Sequence, residues 1–417
     1  MEINPKRLLH DLSIITSYTK TPESGCTRFS YSIEDRKTRD YLFSQMEKLG
    51  LSVKVDAIGN IRAKYGLTDK PSIMIGSHID TVANGGKYDG LTGVLAGLEV
   101  IRVIKEEEIE LTHPIELVVF AEEEGSNFGI TMLGSKALTG KYQLEDLYSI
   151  RNDQGISVYD LTKNFGLDIE NLEKDILKPN EVETMIELHI EQGAVLEARN
   201  KTVGIVQAIV GMKTFKITLE GISNHAGTTP MDLRSDPMVG AGNVISHIQI
   251  AAQERALPTT VGTVGKIACL PNMPNVIPNI VEFYVDVRDV DPKGINLMEK
   301  EINAKVDEVA KKHSLKTSIE QIGQSDSVKL SSKVTNIIEE IAIKNHYPYL
   351  KMNSGAVHDA AMLTNLTDVG MIFIPSIGGM SHSPDEFTNN EDIKVGCDLL
   401  LNVAIELAAK KGTKSVI

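Results

Sequence analysis

Three histidines and a handful of carboxylates stand in this sequence where they could hold metal ions. His78 closes a short apolar run, and Asp89 follows eleven residues later in the glycine-rich loop IGSHIDTVANGGKYDG. Glu122, Glu123 and Glu124 come directly after IELVVFA. His189 lies near the end of the run 185–190, just ahead of Gln192, and His382 sits in SIGGMSHSPDEF. Imidazole and carboxylate are donors that zinc, manganese and cobalt accept, and three histidines with two carboxylates are the ingredients of a paired divalent site. Such a site lowers the pKa of bound water to about 7, which makes a hydrolytic nucleophile at neutral pH.

Each segment also has an ordinary reading. A histidine at a strand end is commonly a hydrogen-bonded structural residue, Asp80 and Thr81 could be turn formers, and three consecutive glutamates usually face solvent. A solvated face is less expected directly after a buried strand, however. The coincidence of five such segments is what favours a site.

The elements that would have to position these residues can be read from the apolar pattern. Residues 72–75 (SIMI) and 115–120 (IELVVF) are short apolar runs of the kind found in buried strands, and 93–105 (GVLAGLEVIRVIK) suits a packed helix. That succession predicts an α/β sheet with helices on its faces, and in open sheets of this kind ligands bind at the carboxyl ends of the strands. Residues 150–182 are polar and read as an excursion of short helices.

From about residue 213 the pattern changes. Residues 214–220 (TFKITLE) alternate with period two, and a helix follows with Asp236 as N-cap and Pro237 at its first position. Strand-like 260–268 and 280–287, an amphipathic helix over 292–313 and a last strand over 316–322 complete a β-α-β-β-α-β order, that of a ferredoxin-like unit. The expected organisation is a catalytic α/β domain over 1–212 and 328–417, interrupted by a small α+β domain over 213–327.

Bulk properties set limits. A chain of 417 residues exceeds the size at which one hydrophobic core keeps growing. A net charge of −14 argues against nucleic acid or an anionic membrane as the main partner. No apolar run approaches the roughly 18 residues of a membrane span, and the N-terminus lacks the core of a signal peptide. Cys26, Cys269 and Cys397 fit neither a disulfide framework nor a C-x-x-C metal pattern, so a reduced, cytoplasmic protein is expected.

The blocks GSHIDTV, GGKYDGLTGVLAGLE, FAEEEGSNFG, ELHIEQG, NHAGTTPM, NMPNVIPN with VDVRDVD, SGAVHDAAML and GGMSHSPDEF follow one another across nearly the whole chain. In these blocks the sequence resembles the hydantoinase/carbamoylase-type amidases, a branch of the di-zinc aminoacylase and carboxypeptidase clan. That branch includes N-carbamoyl-L-amino acid hydrolases, allantoate amidohydrolases and β-ureidopropionases. The resemblance implies a di-metal peptidase-like α/β catalytic domain with an inserted ferredoxin-like lid and dimerisation domain, two divalent ions per chain with zinc first and manganese or cobalt as alternatives, and a homodimer. It implies that His78 and His189 bind one ion, that Glu123 and His382 bind the other, and that Asp89 bridges them. Glu122 would be the general base and Asp80 would orient His78. Gln192 near the metal, and His225, Asn275 and Arg288 in the inserted domain, match substrate-binding positions. One departure is Val357 in SGAVHDA, where a glycine is common.

These roles make chemical sense. Adjacent glutamates let one ligate while the other takes the proton of water and passes it to the leaving amine. His225 could donate to the oxyanion of a tetrahedral intermediate, and Arg288 offers a fork for a substrate carboxylate. From the residues alone, His225 could equally be a turn histidine and Arg288 a member of an exposed charge pair. The expected activity is hydrolysis of a linear ureido or amide C–N bond in a small carboxylate-bearing substrate. An N-carbamoyl-L-amino acid comes first, then allantoate, then N-acyl amino acids or dipeptides. A rival of another class is a non-catalytic metal- or metabolite-binding protein on the same fold. A redox enzyme is disfavoured because no G-x-G-x-x-G motif opens a first helix.

Overall fold

The computed structural model describes residues 1–66 and 69–409. Contacts divide the chain into two compact units: Met1–Gln207, Lys329–Ser354 and His358 onward form one, and Ala208–Val328 with Gly355–Val357 form the other.

The first unit is built on a nine-stranded mixed sheet. Seven of its strands follow one another in the order Ser52–Val55, Ile61–Tyr65, Ile115–Phe120, Ser72–His78, Val182–Ile190, Asp368–Ile374 and Val203–Ile209, and Val328–Lys329 and Tyr349–Ser354 complete it beyond the last of these. Four of these lie side by side and parallel: Ile115–Phe120, Ser72–His78, Val182–Ile190 and Asp368–Ile374. They are largely apolar because both faces are covered, and every residue of Ser72–His78 and Ile115–Phe120 is buried, including Glu116, which is paired with Arg62. The helix Leu91–Glu106 packs on this sheet and is buried at every position from Leu91 to Ile104. Its two buried charges are paired: Glu99 accepts from Arg7 and Arg102, and Arg102 also reaches Asp11.

Several elements lie outside the expectation drawn from the sequence. The helices Pro5–Thr16 and Ile33–Leu49 and the hairpin Ser52–Val55/Ile61–Tyr65 precede the first apolar run. The excursion contains the short helix Val158–Asn164 and a 3-10 turn at Ile169–Asp175, and a further short helix, Leu144–Ser149, precedes it. It also closes a core of its own, in which Tyr31, Ile58, Phe128, Leu147 and Val158 are buried together.

In the second unit four antiparallel strands lie in the order Lys316–Ser325, Gly211–Glu220, Ile280–Asp289, Val261–Leu270. The helices Pro237–Glu254 and Pro292–His313 begin at Asp236 and Asp291, whose carboxylates accept from backbone N–H groups of the first turn. Period-two alternation builds the core: Val281, Phe283, Val285 and Val287 are fully buried with Phe215, Ile217 and Leu219 against apolar side chains of both helices. No helix among the described residues is long and apolar enough to cross a membrane.

Candidate metal centre

The four parallel strands deliver their carboxyl ends to one edge of the sheet. His78 is the last residue of its strand and pairs in register with Phe120, two residues before Glu122. His189 pairs with Phe373, whose strand leads on to His382. Asp89 stands just before the helix Leu91–Glu106, in a loop folded so tightly that a Cβ on Gly90 would lie 2.5 Å from the His78 ring.

Asp89 is the centre of the cluster, and its two oxygens face different partners. Oδ1 lies 3.1 Å from His189 Nε2 and 3.5 Å from His78 Nε2. Oδ2 lies 3.3 Å from His382 Nε2 and accepts from Gln192 Nε2 at 2.7 Å. Both buried imidazoles are set by their other nitrogen: His78 Nδ1 donates to the Asp80 carbonyl at 3.1 Å, and His189 Nδ1 donates to the Ile190 carbonyl at 2.8 Å. That tautomer leaves each Nε2 lone pair turned toward Asp89, as a metal ligand requires.

The three glutamates divide differently from the expectation. Glu124, not Glu123, faces His382, with Oε2 at 3.3 Å from Nε2, and Asp89, Glu124 and His382 form a group able to hold an ion. Glu123 instead points toward His78, its Oε2 at 3.9 Å from Nε2. Glu122 turns away from both: its carboxylate accepts from Asn127 N and Asn127 Nδ2, each at 2.7 Å, and is fully buried in that turn. The cause is local. Glu122 has φ of 53°, a left-handed conformation that swings the chain out of the strand and moves the two forward-facing carboxylates one residue on.

Asp80 does more than face His78. Its carboxylate is 3.8 Å from His78 Nδ1, while its two oxygens accept from the backbone N–H groups of Glu123 and Glu124 at 3.2 and 3.1 Å. It therefore ties the end of one strand to the glutamate turn after the next. Glu187, buried behind the cluster, accepts from Ser77 Oγ at 2.6 Å and from Ala360 N at 3.2 Å, and with His189 and His358 it forms a further donor group. Glu386 accepts from the N–H groups of Tyr88 and Asp89. Sequence reasoning missed Glu124 as the partner of His382, and gave Glu187 and Glu386 no role. Glu386 was visible only as part of SHSPDEF.

The electrostatics suit cations. Burial pushes Glu123 well above the usual carboxylate range, with His78 acting against the shift, and takes Glu124 up to about 8 with Asp89 adding to it. Burial acts to raise Asp89 too, yet His189, His382 and His78 together hold it well below the usual range. Among the described residues no Lys or Arg forms an ion pair with Asp89, Glu123 or Glu124; their charged neighbours are histidines. Several carboxylates buried together with no Lys or Arg beside them are costly, and divalent ions are the natural compensation. The buried Gln192 Oε1 also lacks a hydrogen-bond partner. A donor set of imidazole nitrogens and carboxylate oxygens therefore fits zinc, manganese or cobalt.

In the second unit, His225 and Asn275 are neighbours on a short ladder: His225 pairs with Val276, and Ala226 N donates to the Asn275 carbonyl at 3.0 Å. His225 is exposed, and its Nδ1 accepts from Gly227 N at 3.0 Å and Thr228 N at 3.2 Å. With Nδ1 accepting, the ring carries its proton on Nε2 and presents it outward. Arg288 Nε donates to Asp286 Oδ1 at 2.7 Å and Nη1 donates to the Gly355 carbonyl at 3.1 Å, leaving the side chain about one-third exposed.

Comparison with known proteins adds a second line. Residues 74–406 match the profile of Peptidase family M20/M25/M40. The chain is 40% identical over 408 residues to an N-carbamoyl-L-amino acid amidohydrolase of Geobacillus stearothermophilus, covering 97% of this chain and 99% of that one. It is 32% identical to an allantoate amidohydrolase of Bacillus subtilis, covering 94% of this chain and 95% of the relative. A crystal structure of an amidase of the hydantoinase/carbamoylase family from Burkholderia multivorans superposes with a TM-score of 0.90 at 33% identity, covering 98% and 99% of the two chains.

Proposed function

The chain belongs to Peptidase family M20/M25/M40, and from that premise we propose that it is a metal-dependent amidohydrolase cleaving a linear ureido C–N bond, with N-carbamoyl-L-amino acids as its substrates. The single observation that carries the metal part is Asp89, whose two oxygens face separate histidine sets. His78 and His189 would hold one ion, Glu124 and His382 the other, and Asp89 would bridge them. When bound, two such ions polarise water and the ureido carbonyl and stabilise developing negative charge.

The chain's own residues do the rest. Glu123, next to the ligand Glu124 and turned toward His78, accepts the proton of the attacking water and delivers it to the leaving nitrogen. Water adds to the ureido carbon and the C–N bond breaks. The net products are the amino acid, ammonia and carbon dioxide, which balance one carbamoyl group and one water. His225 Nε2–H is the donor for the oxyanion, Arg288 with Asn275 binds the substrate carboxylate, and Gln192 orients the reacting group.

The proposal places this activity in a cytoplasmic homodimer. The strand Val261–Leu270 ends the second unit's sheet and exposes Val261, Ile267 and Leu270, which suits pairing with a second copy. Allantoate is the second substrate considered, since a 32%-identical relative bears that activity in its name. A panel of allantoate, several N-carbamoyl-L-amino acids, N-carbamoyl-β-alanine and N-acetyl amino acids tests the reading. Turnover confined to the carbamoyl α-amino acids supports it, and inactivity across the panel in metal-loaded protein overturns it.

A further inference from the structure

The candidate centre depends on two loops that lie far apart in sequence, residues 78–90 and 381–386, and we infer that Glu386 is the positioning residue that fastens one to the other on the Asp89/His382 side. The inference rests on the metal reading above. Glu386 is only 4% exposed. Its Oε1 accepts from Tyr88 N at 2.9 Å and Asp89 N at 3.1 Å, and its Oε2 accepts from Ser381 Oγ at 2.8 Å. The Ser381 hydroxyl also lies 3.2 Å from Asp89 Oδ2, so one serine proton is shared between the clamp and the central carboxylate. One side chain thus holds the backbone of Asp89 and, through the neighbour of His382, the orientation of the Asp89 oxygen that faces His382.

Two further observations show that the chain is shaped around this carboxylate. A Cβ on Gly86 would fall 1.9 Å from Glu386 Cδ, so only glycine leaves room for it. The rings of Tyr88 and Phe387, one on each loop, meet edge to face with centroids 6.1 Å apart. Glu386 forms no ion pair with Lys or Arg among the described residues, and it gains its partners from N–H and O–H groups of the two loops alone. A buried carboxylate with that set of partners is costly unless the order it imposes is used. Outer partners of this kind typically change metal affinity by about 10–100-fold when removed.

The test is a titration of Mn²⁺ into metal-free full-length protein, for wild type, Glu386→Gln, Glu386→Ala and Gly86→Ala, with His382→Ala marking which site is which. Wild type should take up two ions. Glu386→Ala should weaken the site that His382→Ala abolishes by about 10–100-fold and leave the other within a few-fold. Glu386→Gln keeps an acceptor for both backbone N–H groups and should fall between, which also covers the case in which the alanine variant does not fold. Gly86→Ala should mimic Glu386→Ala, and the double variant should be no worse than either, because both break one contact. If wild type binds two ions and Glu386→Ala binds both as tightly, the role of Glu386 is overturned while the metal reading stands. A lowered melting temperature of the metal-free variant with unchanged affinities overturns that role in the same way. If wild type binds no divalent ion, the metal reading is overturned and this inference falls with it.

Discussion

The residues proposed for chemistry and those proposed for recognition are built in opposite ways. In the first unit, His78, Asp89, Glu123 and His189 are buried at or just beyond the ends of parallel strands. The two imidazoles rest on carbonyls one or two residues away, but Asp89 is met by His189, Gln192 and His382 and the Glu123 N–H by Asp80, all distant in the chain. In the second unit, His225 and Arg288 are solvent-accessible and held by their own neighbourhoods, through Gly227 and Thr228 for one and mainly through Asp286 for the other. The first arrangement leaves acids without Lys or Arg partners, whereas in the second Arg288 is paired with Asp286. A site assembled from several strand ends of one sheet fixes reacting atoms closely; one made of a two-residue ladder at His225 and a partly exposed strand residue at Arg288 is less constrained. The first region is therefore organised for an added charge and the second for variable contacts.

Removing the metal is the severest challenge to this contrast. Dialysis against a chelator should reduce turnover to background, and amide hydrogen exchange should rise at 78–90, 122–128, 189–192 and 381–386 while 214–220 and 280–288 stay unchanged. Equal loosening of both regions would show that the second unit is not independent of the ions. No change anywhere would remove the ions from the first.

Next come the three glutamates. Glu123→Gln should keep both ions and lower kcat by about 10²–10⁴-fold, the usual contribution of a general base. Glu124→Gln should lose the ion beside His382. Glu122→Gln should leave kcat within about tenfold, roughly 1.4 kcal/mol of lost positioning. A large loss at Glu122 with full metal content would restore that residue as the base and undo the assignment drawn from the backbone turn.

This pair of expectations shows how far the sequence could be read. Short, mainly apolar runs located the strand ends, and strand ends located His78, His189 and the glutamate triplet, because buried parallel strands leave that pattern. Alternation at Val281, Phe283, Val285 and Val287 likewise located the core face of the second unit. Choosing among three adjacent glutamates was out of reach, since it depends on a left-handed φ at Glu122 that no spacing announces. Glu386 was hidden for a related reason: its partners Tyr88 and Asp89 lie 298 and 297 residues away, and only the closed sheet edge brings them together. The helix Ile33–Leu49 was missed because charged residues interrupt its apolar period, whereas Pro5–Thr16 was legible, with Asn4 as cap and Leu8, Leu12 and Ile15 at helical spacing, and was overlooked.

A smaller effect is expected in the second region. His225→Ala should lower kcat by about 10²–10³-fold if its Nε2–H stabilises the oxyanion, yet alter stability by no more than about 0.5 kcal/mol because the ring is exposed. Metal content should be unchanged. A drop in melting temperature that accounts for the lost activity would make His225 structural and erase the contrast with the buried histidines.

The smallest effect is also the most discriminating. Arg288 already spends Nε and, more weakly, Nη2 on Asp286 and Nη1 on the Gly355 carbonyl, so the guanidinium is fixed in a plane with one N–H on each terminal nitrogen left for a carboxylate. Lysine keeps the charge but cannot hold Asp286 and a carboxylate in that fork. Arg288→Lys should therefore raise KM for an N-carbamoyl amino acid about tenfold, equivalent to about 1.4 kcal/mol, with kcat nearly unchanged because the contact is the same in ground and transition states. The decisive readout is the ratio of kcat/KM between a substrate and its carboxamide analogue. Wild type should discriminate strongly and the variant less, since only the carboxylate uses the fork. An unchanged ratio would place the carboxylate elsewhere and leave Arg288 as the exposed ion pair that its link to Asp286 alone describes.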